Sequence, residues 1–162
     1  MSKIKLKRKK TNFFIKRVTA KSEDKKDSTV EFYKGLNIIK GRSNTGKTVI
    51  VKCIDFCFGG DNPFDKSLGY TKVEMEVQTM KGSIVISRNL DSKVVDVKTN
   101  IPNAENGTYS IDINSTKHPL LSDLLLSSIG IEDKINIMKN KNFGKQRLTW
   151  RTFLHILLFT TE

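Results

Sequence analysis

The 162-residue chain lacks several features that would assign it to common protein classes. It has two cysteines, Cys53 and Cys57, and these do not make a disulfide framework. No apolar stretch reaches the length of a transmembrane helix, and the longest, residues 153–159, is interrupted by His155. The basic N-terminus is not followed by the apolar segment of a secretory signal peptide. These absences predict a cytoplasmic protein with no membrane partner.

Acidic residues are absent from both ends of the chain, which carries a net charge of +12. Residues 1–22 contain nine Lys/Arg and no Asp or Glu, and residues 134–161 contain six Lys/Arg and no Asp or Glu. The remainder holds fourteen basic and seventeen acidic residues, a net charge of −3. Two interpretations stay open: solvated lysines, or an electrostatic footprint for nucleic acid such as DNA.

The chain also lacks the carboxylates expected of a complete nucleotide hydrolase. No run of four apolar residues is followed by Asp-Glu, so no Asp is placed to hold Mg²⁺ beside a general base. The nearest match, Val94-Val95-Asp96, falls among short strands. No N-K-x-D or D-x-x-G motif follows residue 48, which argues against a GTPase.

What the chain does contain is a complete G-x-x-x-x-G-K-[ST] phosphate-binding loop at residues 41–48. Gly41 and Gly46 allow the backbone to curl, so that successive N–H groups and the following helix hold the phosphates of a nucleotide. Lys47 can reach the β- and γ-phosphates, and the Thr48 hydroxyl can bind Mg²⁺. We therefore assign catalytic positions to Lys47 and Thr48. The predicted binding residues are Gly41, Arg42, Ser43, Asn44, Thr45, Gly46, Lys47, Thr48 and Val49.

The segments that flank the loop fit the strand–loop–helix context of this motif. Residues 36–40 are a short apolar run typical of a strand. Residues 49–58 form an apolar run of helix length that ends at Gly59-Gly60, and because they are apolar almost all round we expect this helix to be buried. Two further strands are predicted upstream of the loop, over residues 13–18 and 29–33.

Downstream of the loop helix the pattern changes to that of an antiparallel sheet. Apolar and polar residues alternate strictly over residues 72–78, which predicts a strand with one solvated face. Three more short strands are predicted between turn-rich connectors, over residues 83–90, 93–98 and 108–113. Residues 71–113 are therefore expected to form an antiparallel block.

The last part of the chain is expected to be mainly helical. Residues 118–129 resemble a helix, with Pro119 near its start and Gly130 as its terminator. A strand is possible over residues 134–138. Thr149 is a plausible N-cap for a final helix over residues 150–159.

Five other side chains are candidates for function, and the residue pattern favours structural roles for them. Cys53 and Cys57 share one face of an apolar helix, so core thiols are favoured over a metal pair. His118 and His155 lie far from the cysteines in the sequence and have no ligand-like neighbours. Arg88 lies within a predicted strand, and we expect it to point to solvent.

The residues around the loop resemble the N-terminal head segment of the structural maintenance of chromosomes (SMC) ATPases and their RecN-like relatives in DNA repair and phage defence. The likeness runs through residues 15–18, 30–32, 35–39, 41–48 and 53–60. In that family two strands precede a G-L-N run, the loop has an N-x-G-K-[ST] core, and the next helix ends in an Asp- and Gly-containing pattern. The positions that match are Asn44, Gly46, Lys47, Thr48, Asp55, Phe58 and Gly59.

This resemblance implies a mixed α/β fold, the N-terminal half of an ABC-type P-loop head with ATP and Mg²⁺ as cofactors. Residues 1–162 would be one domain, with a basic lead-in (1–12), a P-loop core (13–60), the antiparallel block (71–113) and a helical end (118–162). In the family a coiled coil follows, and then a C-terminal half with the signature loop and the Walker B carboxylates. The implied partners are that C-terminal half and a second head, in a homodimer that closes on two nucleotides.

Two features of the implied head have no firm position in this sequence. The glutamine that senses the γ-phosphate follows the antiparallel block in the family, and either Gln146 or a position in residues 160–162 could correspond to it. Residues 143–147 bear a faint likeness to a signature loop, but a basic turn before the last helix is the better interpretation.

Other functions remain as alternatives. A small self-contained P-loop kinase would need an Arg-rich lid and βαβ repeats, which the pattern does not offer. A non-catalytic module that retains only ATP-dependent association is compatible with the sequence. The resemblance favours ATP binding, with hydrolysis only in a completed head.

Overall fold

The computed structural model describes residues 13–43, 45–138 and 144–157, the last three by their backbone alone. Eight strands and three α-helices form within these residues. In chain order they are β1 (Phe13–Lys21), β2 (Ser28–Glu31), α1 (Lys47–Cys57), β3 (Lys72–Thr79), β4 (Ser83–Asn89), β5 (Val94–Thr99), β6 (Gly107–Ser110), α2 (Leu121–Ser128), β7 (Asn136–Met138), β8 (Lys145–Arg147) and α3 (Trp150–Leu157).

Six of the strands form one antiparallel sheet in the order β2-β1-β3-β4-β5-β6. The strict alternation predicted for β3 is observed, because Val73, Met75 and Val77 are fully buried on one face. β1 pairs with β3 along its whole length, from Phe13 opposite Thr79 to the far end, with one irregularity after Ile15. The antiparallel block predicted from the sequence is confirmed, and β1 and β2 extend it.

The core lies between this sheet and the helices. α1 contributes Cys53, Phe56 and Cys57 to the core, and α2 contributes Leu121 and Leu125 among others. The predicted cap of α3 is confirmed, because the Thr149 hydroxyl accepts a hydrogen bond from the Thr152 N–H at 3.2 Å. Residues 158 and 159, predicted as the end of α3, lie outside the described residues.

The strand predicted over residues 36–40 does not form. Leu36, Ile38 and Ile39 are 90%, 78% and 40% exposed, and this segment pairs with no strand among the described residues. Sequence propensity alone cannot make a strand, because the backbone N–H and C=O groups need a neighbouring strand. The described part of the chain therefore offers no strand directly before the phosphate-binding loop.

Other predicted elements needed smaller corrections. α1 is not buried all round, since Val51 is 59% exposed and only one face of the helix meets the sheet. The helix predicted over residues 118–129 begins after Leu120, so Pro119 precedes it. The strand predicted over residues 108–113 ends at Ser110. None of the helices among the described residues is both long enough and apolar enough to cross a membrane.

Candidate functional site: the phosphate-binding loop

The loop enters α1 through a glycine in the left-handed conformation. Gly46 has φ 81°, a backbone region that L-residues with side chains rarely adopt, and its carbonyl accepts the N–H of Val49 at 3.0 Å. Gly41 is crowded for a different reason. A Cβ at Gly41 would lie 3.1 Å from the Thr45 hydroxyl oxygen. The backbone conformation therefore favours glycine at position 46, and a side chain at position 41 would need the Thr45 hydroxyl to shift.

The Lys47 side chain lies back across the loop. Its Nζ donates to the carbonyl of Gly41 at 2.9 Å, to the carbonyl of Arg42, and to the Thr45 hydroxyl at 3.3 Å. The Thr45 hydroxyl in turn donates to the Arg42 carbonyl at 2.8 Å. These contacts place the ammonium group over the curve of the backbone, where the motif predicts a phosphate.

The N-terminus of α1 carries uncompensated positive potential. The first N–H groups of a helix have no intrahelical partner, and the helix dipole adds positive charge there. No side chain among the described residues caps this end, and the first turn of α1 contains no acidic residue. The exposed Thr48 hydroxyl lies in the same turn. This arrangement can bind an anion.

Two of the remaining predicted loop residues are also at the surface. Arg42 and Ser43 are exposed, and Val49 is half-buried in the first turn of α1. Asn44 lies outside the described residues. The loop borders a cavity of about 380 Å³, within the range of small-molecule sites. Its wall near Thr45 and Gly46 is aliphatic and aromatic, and includes Val18, Val30, Val49 and Tyr70.

The segment before the loop is held in a turn by Asn37. Its side-chain oxygen accepts the N–H of Tyr33 at 2.9 Å, and its side-chain nitrogen donates to the carbonyls of Tyr33 at 2.7 Å and Gly35 at 3.1 Å. The asparagine of the G-L-N run thus has a local structural role. Sequence reasoning did not assign one to it.

Arg88 is buried beneath the other end of α1, so the expectation that it points to solvent was wrong. Its Nη1 donates to the carbonyls of Phe56 and Gly60, both at 2.7 Å, and its Nε donates to the carbonyl of Ser92 at 2.8 Å. The guanidinium carbon lies 4.0 Å from the centroid of the Phe56 ring. Burial lowers the pKa of Arg88. Alternate residues of a strand lie on the same face, and Arg88 follows the buried Ile86 by two positions. This alternation is the sequence signal that places Arg88 inward.

Two contacts join the end of α1 to the start of α3. Arg151 Nη1 donates to Asp55 Oδ1 at 3.1 Å, and the rings of Phe58 and Trp150 lie 5.5 Å apart. A Cβ at Gly60 would overlap the Asp55 carboxylate. The Gly at this position therefore leaves room for the ion pair.

The two cysteines are buried, as predicted, and packed in the core. Burial raises the pKa of the Cys53 thiol from 9.0 to about 11. Burial, with a smaller effect of Cys53, also raises the pKa of Cys57. Among the described residues no group of three or more His, Cys, Asp and Glu is arranged to hold a metal ion.

Among the described residues, the candidates for the missing catalytic carboxylate and for the glutamine that senses the γ-phosphate lie on strands, not on the loop or α1. Asp96 is on β5, exposed, where its carboxylate accepts from Thr108 at 3.2 Å. Gln146 is on β8, opposite Ile137 in a separate two-stranded sheet. The structure brings neither into contact with Lys47.

Several cations of the basic ends are neutralised locally. Lys16 and Arg17 both pair with Glu76, at 2.9 and 3.2 Å, and Lys21 pairs with Glu74 at 3.3 Å. The cations of residues 1–10 lie outside the described residues. Any surplus positive charge at the start of the chain must therefore come chiefly from residues 1–10.

A family match agrees with the nucleotide binding that the phosphate-binding loop predicts. Residues 7–158 match the AAA domain family. Because this match spans almost the whole chain, the chain belongs to that family, a group of P-loop ATPase-type domains that bind nucleotide. No curated protein matches the chain.

Proposed function

We propose that the chain binds Mg²⁺-ATP and is the ATP-binding half of an SMC/RecN-like head in the cytoplasm. The observation that carries this proposal is the position of Lys47, whose ammonium group lies over a glycine-bounded loop at the uncapped N-terminus of α1. Lysine and unpaired N–H groups at a helix N-terminus together form a site for phosphate groups.

The loop residues fit the roles that the motif gives them. The N–H groups of residues 45–48 would hold the phosphates, and Lys47 would exchange its loop carbonyls for the β- and γ-phosphate oxygens. The Thr48 hydroxyl would be a ligand of Mg²⁺, which neutralises phosphate charge. Arg42, exposed on the loop, is a further cation within the motif.

Hydrolysis is proposed only for a completed head. Water attacks the γ-phosphate in line with the leaving group, and this step needs a residue that orients the water and a carboxylate that holds Mg²⁺. Such carboxylates are not found beside Lys47 in the described residues. They would come from a C-terminal half, and a second head would complete a homodimer around two nucleotides.

The exposed apolar segment before the loop supports this completion. Leu36, Ile38 and Ile39, which precede the loop in the chain, are exposed, and so is Val51 of α1, which follows it. Strands of a parallel sheet are buried on both faces and are rich in such residues. We propose that residues 36–40 become a strand when strands of the C-terminal half pair with them.

The nucleotide specificity of the loop tests the binding proposal. ATP should bind more tightly than AMP, because Lys47 and Thr48 act on the β- and γ-phosphates and their Mg²⁺. Removing Mg²⁺ should weaken ATP binding to the parent protein but hardly affect Thr48→Ala. Equal affinity for ATP and AMP would contradict the proposal.

The coding DNA downstream of Glu162 tests the completion proposal. A continuing reading frame with heptads, and later an apolar run ending in Asp-Glu, is the expected result. A stop codon with no such partner sequence nearby would favour the module that binds ATP without hydrolysing it.

DNA is proposed as a further partner. The support is the cluster of six Lys/Arg within residues 1–10, which no acidic residue interrupts. Contacts of this kind bind phosphates without regard to base sequence.

A further inference from the structure

The cavity beside the phosphate-binding loop lies between α1 and the first two strands of the sheet, and its volume is about 380 Å³. One wall is a single face of α1, because its residues recur three or four positions apart: Gly46, Val49, Ile50 and Cys53. The facing wall comes from two pairs of opposed residues on β1 and β2: Val18 with Val30 and Ala20 with Ser28. Thr45 and Gly46 belong to the loop itself, so the cavity adjoins the proposed phosphate site.

The third wall is an aromatic segment between α1 and β3. It lines the cavity with Phe64, Leu68 and Tyr70. The rings of Phe64 and Tyr70 lie 5.6 Å apart. Lys25, in the turn after β1, holds this segment, because its Nζ lies 3.8 Å from the centroid of the Tyr70 ring and donates to the carbonyl of Leu68. The aromatic wall is therefore a preformed part of the fold.

The side chains of the cavity offer apolar contact and few polar groups. Among the described residues that line it, the polar side chains are three hydroxyls, of Ser28, Thr45 and Tyr70, and the thiol of Cys53. The Thr45 hydroxyl already donates to the Arg42 carbonyl at 2.8 Å. No charged side chain lines the cavity among these residues. An uncharged flat group suits this cavity, and a phosphate does not, because it would lose its hydration without gaining a cation.

A nucleotide carries both of the groups that this region of the molecule can hold. Its phosphates would lie at the N–H groups of residues 45–48, and the ribose joins them to the base. Thr45 and Gly46 border both places, so the base can lie in the cavity while the phosphates stay at the loop. A purine ring is stabilised there by contact with aliphatic and aromatic side chains.

We propose that this cavity receives the base of the bound nucleotide and does not distinguish adenine from guanine. The proposal rests on the proposed function, because the loop must hold the phosphates of the same nucleotide. A site strongly rejects the wrong base only when that base leaves buried polar groups of the site unpaired. A hydroxyl can either donate or accept, so the hydroxyls of Ser28 and Tyr70 can pair with either purine. GTP should therefore bind within about 10-fold of ATP.

Calorimetric titration with the Mg²⁺ complexes of tripolyphosphate, ATP and GTP tests this proposal. Tripolyphosphate has the phosphates without the base, so ATP and GTP should each bind at least about 10-fold more tightly than tripolyphosphate. If none of the three binds, the proposed function and the base site are both wrong. If tripolyphosphate binds as tightly as ATP, the base site alone is wrong.

Two phenylalanine variants on β2 test the location of the base. Ser28→Phe adds a ring at a position that lines the cavity, and Thr29→Phe adds the same ring at the next position, on the opposite face of the strand. Both positions are exposed and phenylalanine favours strands, so both variants should fold. Ser28→Phe should weaken ATP binding about 10-fold or more and leave tripolyphosphate binding unchanged. Thr29→Phe should bind both like the parent.

A pair of variants at Tyr70 tests the aromatic wall independently. Tyr70→Ala removes the ring and should weaken ATP and GTP binding alike, whereas Tyr70→Phe keeps the ring and should restore most of the affinity. Equal ATP affinity of these two variants would overturn the proposal, and so would a folded Ser28→Phe that binds ATP like the parent. A preference of the parent for ATP over GTP of more than about 10-fold would show that the base is read by hydrogen bonds.

Discussion

Replacing Arg88 with alanine should destabilise the fold around the phosphate-binding helix. The guanidinium donates three hydrogen bonds, to the carbonyls of Phe56, Gly60 and Ser92, and it is only 6% exposed. Two of these carbonyls belong to the end of α1 and the turn that follows it. Without Arg88 they would have to find water in a closely packed region.

The expected loss of unfolding free energy in Arg88→Ala is the difference between two opposing effects. Hydrogen bonds to a charged group contribute about 1.5–3 kcal/mol each, so three of them set a gross loss of several kcal/mol. Removing a buried charge recovers part of its desolvation cost, which is also several kcal/mol. We expect a net loss of about 3–5 kcal/mol for Arg88→Ala, typical of a broken buried charged network. Arg88→Lys should lose less, because the ammonium keeps its charge but not the planar fork.

Urea unfolding followed by tryptophan fluorescence measures this loss, since Trp150 is the only tryptophan in the chain. Arg17→Ala is the matched control, because Arg17 is 44% exposed and its ion pair with Glu76 should contribute less than about 1 kcal/mol. If Arg88→Ala stays within about 1 kcal/mol of the parent at an unchanged m-value, the buried network does not stabilise α1 and the reasoning is wrong.

Three further predictions concern turnover, DNA and the thiols. Steady-state phosphate release by this chain alone should be negligible, and release that disappears in Lys47→Ala would show that a catalytic carboxylate has been missed. If DNA binds, deleting residues 1–10 should flatten the dependence of its affinity on salt, because fewer counterions are released; an unchanged slope would leave those lysines as a solvated tail. Cys53 should react with a disulfide reagent about 100-fold more slowly than a thiol of pKa 9.0 at pH 8, since a pKa of about 11 lowers the thiolate fraction by that factor. Because the Cys53 thiol ionises at a lower pH in the unfolded chain than in the folded one, the free energy of unfolding should fall as the pH rises above about 9. Equal reactivity of Cys53 in the folded and the urea-unfolded protein would contradict its burial.

The antiparallel sheet could be predicted from the sequence because its strands carry their own signal. In β3 every second residue is apolar, and the sheet buries Val73, Met75 and Val77 on one face. The same alternation in β4 places Arg88 inward after Ile86, but its charge argued for solvent. A buried arginine is possible because three carbonyls happen to converge on it, and such long-range contacts are not readable from local pattern.

The residues of the phosphate-binding loop could be predicted from the sequence, but the structure of the segments around the loop could not. The G-x-x-x-x-G-K-[ST] spacing specifies the loop, and Gly46 has the positive φ that the spacing implies. The strand predicted over residues 36–40 is absent because a strand depends on neighbours, and local apolar content does not reveal whether they are present. The ion pair of Asp55 with Arg151 joins residues 96 positions apart, and no pattern in either segment indicates it.

Calorimetric titration with Mg²⁺-ATP tests the central claim, that the loop binds nucleotide phosphates, most directly. The parent chain should be compared with Lys47→Ala and with Lys52→Ala, which removes the same charge from an exposed position of the same helix. Alanine favours helices, so both variants should stay folded. Losing the lysine contacts to phosphate should weaken binding to Lys47→Ala about 100-fold or more, while Lys52→Ala binds like the parent. Equal affinities of the parent and Lys47→Ala would contradict the account.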